Sequence, residues 1–228
     1  MNQTPTSTST LVRQPAASVL ATNRVLRNTY ALLAMTLIFS AACAGAAMFM
    51  NLPYTGPLIT LVGYFGLLYL VNRFSDRALG LLFLFALTGF MGATLGPILN
   101  AYIGRFANGT QLVMLAMGGT GLTFVGLSAY ALISRKDFSF LGGMLSAGIL
   151  VAFLAGLAAL FIPGLTGLSM AVSVMFVLLM SGLILFQTSA IVHGGETNYI
   201  QATLTLFISI YNLFTSLLQL FGVLQGED

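Results

Sequence analysis

Charge is what this sequence has least of. Lys, Arg, Asp and Glu make up 6% of its 228 residues, against about 25% in an ordinary soluble domain. It has no tryptophan, one cysteine and one histidine. A single cysteine excludes an intramolecular disulfide framework and a thiolate metal cluster, so Cys43 reads as a small apolar packing residue. A lone histidine falls short of the three or four ligands that a metal site needs. Eight basic residues and a formal net charge of +3 are too sparse for the basic stripe of a nucleic-acid-binding face, so no nucleic-acid partner is expected. No Asp, Glu, Lys, Arg or His falls in the central part of any apolar run. Charges at that depth are the usual mark of proton relays and ion-coupled transport.

What is present is mostly apolar. Hydrophobic residues make up 58% of the chain and the mean hydropathy is +0.98, values of a polytopic membrane protein. Seven apolar runs cover about 29–50, 57–72, 78–102, 112–133, 140–162, 168–192 and 199–224. A hydrocarbon core about 30 Å thick needs about 20 helical residues, and all but the short second run reach that length. The fold class is therefore all-α, with seven transmembrane helices. Residues 1–24 are rich in Thr, Ser, Asn and Gln and read as a flexible tail, with a short interfacial helix over 16–27. Residues 25–228 form the seven-helix domain.

Basic residues set the orientation. Arg13, Arg24, Arg27, Arg73, Arg77, Arg135 and Lys136 fall on the side of the N-terminus, and Arg105 alone falls on the other. By the positive-inside rule the N-terminus is cytoplasmic and, after seven spans, the C-terminus is on the far side. Tyrosine must supply the interfacial belt in place of tryptophan. Tyr211 departs from that pattern, because it lies mid-span beside Asn212.

The last helix carries a polar stripe. Gln201, Thr205, Ser209, Asn212, Ser216 and Gln219 are spaced by four, four, three, four and three. At 3.6 residues per turn those six side chains fall within about 80° of one another. Lipid offers amides and hydroxyls no partner, so the stripe must face protein or water. The expectation is a last helix enclosed by the other six. Small residues mark where helices approach closely: Gly92 and Gly96 form a GxxxG, and Gly148, Ala152 and Gly156 recur every four residues. Either set can serve packing within the chain or a dimer face. Pro97 is expected to bend the third span, since it removes a backbone donor.

The loop His193-Gly194-Gly195-Glu196-Thr197-Asn198 joins the last two helices. Gly194 or Gly195 would end the sixth helix, Thr197 or Asn198 would cap the seventh, and Glu196 would suit its positive end. A Ser–His hydrolase built from Ser128 and His193 lacks the second glycine of a nucleophile loop after Gly126-Leu127-Ser128 and has no visible oxyanion hole, so no enzyme is expected.

The stretch ILFQTSAIVHGGETNYIQATLTLFISIYNLFTSLLQLFG resembles the C-terminal signature of the Bax inhibitor-1 (transmembrane Bax inhibitor motif) family. NRVLRNTYALLAMTLIFSA at 23–41, LGPILN at 95–100 and RKDFSFLGGML at 135–145 resemble one bacterial branch of it. That resemblance implies an inner-membrane protein that binds and restrains an FtsH-type ATP-dependent protease, together with its HflK–HflC partners. The wider family implies the alternative, a proton-sensitive calcium leak with an acidic pair on the last two helices. The matching positions here are Gln187 and Ser209. An amide and a hydroxyl cannot share a titrating proton as two carboxylates do, which argues against pH gating and calcium coordination at that place. Gln187 and Ser209, with Asn212 nearby on the stripe, can either join helices six and seven by a neutral hydrogen bond or serve packing alone. No cofactor is implied.

Overall fold

The computed structural model describes residues 16–162 and 166–225. Of the tail expected over residues 1–24, residues 1–15 lie outside them and 16–24 belong to the first helix. Seven helices follow in order: α1 (Ala16–Phe49), α2 (Pro57–Phe74), α3 (Ala78–Arg105), α4 (Gly109–Ser134), α5 (Leu141–Phe161), α6 (Thr166–Val192) and α7 (Tyr199–Gln225). All seven are long and apolar enough to cross a membrane, and no strand occurs among the described residues. The apolar runs read from the sequence match these helices closely. The clearest difference is at α1. Helix α1 begins at Ala16, so the segment over 16–27 is continuous with the first span. No glycine or proline interrupts the chain between Ala16 and Ala44, and nothing there stops the helix propagating. Its 34 residues extend about 50 Å at 1.5 Å per residue, well beyond a hydrocarbon core of about 30 Å.

Short connections force neighbouring helices to run antiparallel. The 75–77, 135–140 and 193–198 connections therefore gather at the end where α1 starts, and the 50–56 and 106–108 connections gather at the far end. Helix α2 starts at Pro57, whose fixed φ suits the first helical position, after Gly56 at φ 87°. Helix α3 continues through Pro97.

The GxxxG is used inside the chain. A Cβ on Gly92 would sit 2.1 Å from the Ser40 carbonyl oxygen, and one on Gly96 would sit 2.6 Å from the Ala47 Cβ. Glycine at both places lets the α1 and α3 backbones touch. The fifth-span stripe faces α6 side chains instead: a Cβ on Gly148 would meet the Leu179 side chain at 2.6 Å, and one on Gly156 would make an ordinary contact with Val172 at 3.6 Å. Cys43 packs at the α1–α3 seam beside Gly89.

Helix α7 packs along α1, α3, α4 and α6 rather than along all six others; α2 is carried on α3 and α5 on α6. No residue of α7 from Tyr199 to Val223 is exposed. The core is built on it: Leu204, Leu206, Phe207 and Leu213 pack with Leu33 of α1, Leu84 and Leu87 of α3, and Met180 and Ile184 of α6.

Candidate functional site

The 193–198 connection is a junction. Helix α6 ends in a Schellman motif: the Gly195 N–H donates to the Ala190 carbonyl at 2.8 Å and the Gly194 N–H to that of Ile191 at 3.2 Å. Gly194 takes φ 74°, the left-handed conformation that a side chain would strain, and it is therefore the glycine that stops α6. The cap of α7 is Asn198. Its Oδ1 accepts from the backbone N–H groups of Ile200 at 2.9 Å and Gln201 at 3.2 Å. Glu196 accepts from the Asn198 N–H at 2.7 Å, placing a carboxylate at the positive end of α7.

Both flanks of the junction reach other loops. On the α6 side, His193 Nε2 lies 3.1 Å from the Arg135 carbonyl oxygen, while Nδ1 lies 2.9 Å from the Ser189 carbonyl oxygen and 3.3 Å from its hydroxyl. The Ser189 hydroxyl donates to the Lys136 carbonyl at 3.1 Å and accepts from the Phe138 N–H at 3.1 Å. On the α7 side, Asn198 Nδ2 donates to Asp76 at 3.0 Å, and the Gln201 amide donates to the Ser75 hydroxyl at 3.1 Å. The 193–198 loop thus binds the 135–138 loop on one side and the 75–76 turn on the other. In the 135–140 loop, Asp137 accepts from the Ser139 hydroxyl and from its N–H at 2.9 Å. Those two bonds hold the exposed Asp137 carboxyl below the usual carboxylate range.

The residues singled out at membrane depth are placed differently. Gln187 is buried, at 5% exposure, and its Nε2 has no hydrogen-bond partner. Ser209 is fully buried, but its hydroxyl donates to the Thr205 carbonyl at 2.7 Å on its own helix. No Gln187–Ser209 bond is made, which leaves packing as the role of the pair. A serine in a helix always has a carbonyl one turn back within reach, and reaching a neighbouring helix requires a closer approach. Asn212 likewise donates to the Ile208 carbonyl at 2.9 Å. Only the two ends of the polar stripe cross to other elements: Gln201 bonds Ser75, and Gln219 bonds the Ser169 hydroxyl of α6.

The Ser128–His193 pairing is not formed either. The Ser128 hydroxyl is buried without a partner, and His193 is turned to Ser189 and Arg135. Ser189, at 1% exposure and with its hydroxyl engaged, is a tie rather than an accessible nucleophile. Among the described residues, no group of three or more His, Cys, Asp or Glu side chains is placed to hold a metal ion. Sequence reading missed Ser189, Ser75 and Asp76, because each acts through a partner far along the chain.

Comparison with known proteins follows the same C-terminal half outward to most of the sequence. Residues 22–226 match the model of the family described as Bax1-I, inhibitor of apoptosis-promoting Bax1. The chain is 50% identical over 205 residues to the "Modulator of FtsH protease YccA" of Escherichia coli strain K12, covering 90% of this chain and 92% of that one. It is 53% identical over 204 residues to an uncharacterized protein of Pseudomonas aeruginosa, covering 90% and 91%. It is 32% identical over 171 residues to "Bax inhibitor 1" of Schizosaccharomyces pombe, covering 75% and 61%. The family description and the names of the Escherichia coli and Schizosaccharomyces pombe relatives are those of regulators. With seven apolar helices, an α7 core and this junction, the chain belongs to the Bax inhibitor-1 family.

Proposed function

We propose that this chain is a regulatory protein of the bacterial inner membrane that binds an FtsH-type, membrane-anchored ATP-dependent protease and restrains it. The observation that carries the reading is the likeness to the Escherichia coli modulator of that protease along 90% of the chain. The structure supports a binding role in two ways. The loops at the N-terminal end are tied to one another through His193, Ser189, Asn198 and Gln201, which gives that end a defined shape for a partner. The nearby cations Arg73, Arg77, Arg135 and Lys136 favour the cytoplasmic side for it.

Restraint follows from mechanics. Such a protease pulls its substrates from the membrane through a pore. The polar N-terminal tail offers a segment to engage, and the bundle behind it resists extraction. Drawing a helix out exposes apolar area at about 25 cal/mol per Å², and α7 is packed along four neighbours. A motor stalled on this chain is unavailable to other membrane proteins. Association with HflK–HflC belongs to the same proposal. The protein acts by binding, without catalysis of its own.

A calcium leak is the weaker reading, since Gln187 and Ser209 carry no charge to titrate and do not bond each other. The experiment is co-purification with the protease in mild detergent, combined with degradation kinetics of a membrane substrate. Association with at least severalfold slower degradation is expected. Unchanged kinetics at saturating amounts, or calcium flux into liposomes from the purified chain, would overturn the proposal.

A further inference from the structure

Between α1 and α4 no third helix closes over α7, although the two walls keep its side chains from being exposed. Helices α1 and α4 each pack on α7, α3 and α6, and between them runs a crevice of ≈ 420 Å³. Its floor is the aromatic side of α7, with Phe207, Tyr211 and Phe214, and its rim is small, with Ala41 and Gly45 on α1 and Gly121 on α4. These rim residues are exposed, whereas Phe207 and Phe214 are 1% and 8% exposed. The crevice therefore opens sideways. Ser40 and Thr120 mark its level on the two walls. They stand nine residues from the far end of α1 and eleven from that of α4, about 13 and 16 Å at 1.5 Å per residue. That depth is hydrocarbon, below the headgroups.

The chemistry of the walls decides the occupant. The lining is almost wholly apolar, and the Thr120 hydroxyl is already committed to the Ala116 carbonyl at 2.7 Å. An apolar cavity of this kind does not hold water, and a polar ligand would find only the Ser40 and Tyr211 hydroxyls beside it, too few to hold it. A helix is excluded by size: at about 10 Å across, one turn of about 5.4 Å already fills roughly 400 Å³. A single flexible hydrocarbon chain fits both the volume and the open side, and it restores the dispersion contacts that an empty crevice forfeits. We infer that this crevice binds one acyl chain of a bilayer phospholipid, held against Phe207, Tyr211 and Phe214.

The chain has no tryptophan, so one can be placed as the sole indole. Phe214→Trp puts it on the floor, and Leu122→Trp puts it on the outer face of α4, where Leu122 is 79% exposed. Both variants would be reconstituted in phosphatidylethanolamine–phosphatidylglycerol liposomes with rising fractions of lipid brominated on the acyl chain. The floor indole should be quenched at least as strongly as the outer one, despite its burial. A Cβ at Gly121 or at Gly45 meets nothing within 4 Å. Gly121→Leu, or Gly45→Leu should the first not fold, should therefore plug the crevice and cut floor quenching severalfold without changing the outer signal. A floor indole that escapes quenching overturns the assignment, as does quenching indifferent to both plugs. So does floor quenching that falls as protein is crowded at fixed bromolipid, since a second copy would then be the occupant.

Discussion

His193 and Arg135 meet across 58 residues of chain, the imidazole Nε2 3.1 Å from the arginine's carbonyl oxygen. Arg135 is held at φ 50°, a left-handed conformation that a residue with a Cβ seldom adopts. The strain turns the end of α4 so that its carbonyl faces the end of α6, and His193 and Ser189 hold the loop there. The two ends are coupled through this contact.

His193→Ala removes one side of that tie. The expected loss is about 1 kcal/mol, the usual net worth of a hydrogen bond. It should appear locally, as faster amide exchange over residues 135–140 with the spans unchanged. Ser189→Ala should do more, because it leaves the Phe138 N–H and the Lys136 carbonyl without their partner. A Ser189→Ala protein with native exchange in that loop would refute the tie.

Asn198 caps α7 and also holds the Asp76 turn. Replacing it by Ala should destabilise the start of α7 by about 1 kcal/mol, as loss of an N-cap does. Asn198→Asp keeps the capping oxygen but sets a second carboxylate against Asp76. It should fall between the two in thermal unfolding in detergent. Equal stability of Ala and Asp variants would show that the cap contributes nothing.

Gly92 leaves no room. With a Cβ 2.1 Å from the Ser40 carbonyl oxygen, Gly92→Leu must part α1 from α3. Gly118→Leu, where a Cβ meets open space, provides the contrast. The first should abolish a monodisperse detergent-soluble species and the second should leave it intact, as size-exclusion chromatography would report.

Asp137 sets a pH limit on its loop. Its carboxyl is lowered by the two Ser139 bonds, so the contribution of this turn is complete above the ordinary value of about 3.9 and is lost as pH falls through the lowered one. Ser139 exchange protection should therefore stay level between about pH 5 and 8 and fall only in stronger acid. A loss of protection near neutral pH would assign the loop's stability to some other group.

The spans were legible because hydrophobic length against a bilayer of fixed thickness leaves few choices, and the stripe from Gln201 to Gln219 was legible because helical period turns spacing into a face. The stop of α6 and the cap of α7 follow from local backbone chemistry and were narrowed to Gly194 or Gly195 and to Thr197 or Asn198; the φ of Gly194 and the Asn198 bonds decided between them. The Arg135–His193 and Asp76–Asn198 contacts were not readable, since nothing local relates positions 58 or 122 residues apart. Placing Gln187 against Ser209 required distances between helices, and spacing along one helix does not supply them. The crevice was hidden for a related reason: it is defined by how far α1 and α4 stand apart over α7, a distance between helices.

Gln187 gives the sharpest test of what the buried polar groups are for. Its amide nitrogen is buried with no partner, an arrangement that costs about 1–3 kcal/mol in most proteins. Gln187→Met keeps the length of the side chain and removes the unsatisfied donor. On packing grounds it should raise thermal stability in detergent by about 1 kcal/mol. If binding of the protease rests on the shape of the loop-bearing end, the Met variant should also inhibit degradation as fully as the unaltered chain. Gln187→Glu should separate the cases further, because a carboxyl there has no cation beside it at membrane depth and should be destabilising at neutral pH, recovering as it is protonated in acid. A Met variant that is less stable, or stable but unable to restrain the protease, would show that the amide has a partner in the membrane and that this partner matters to function.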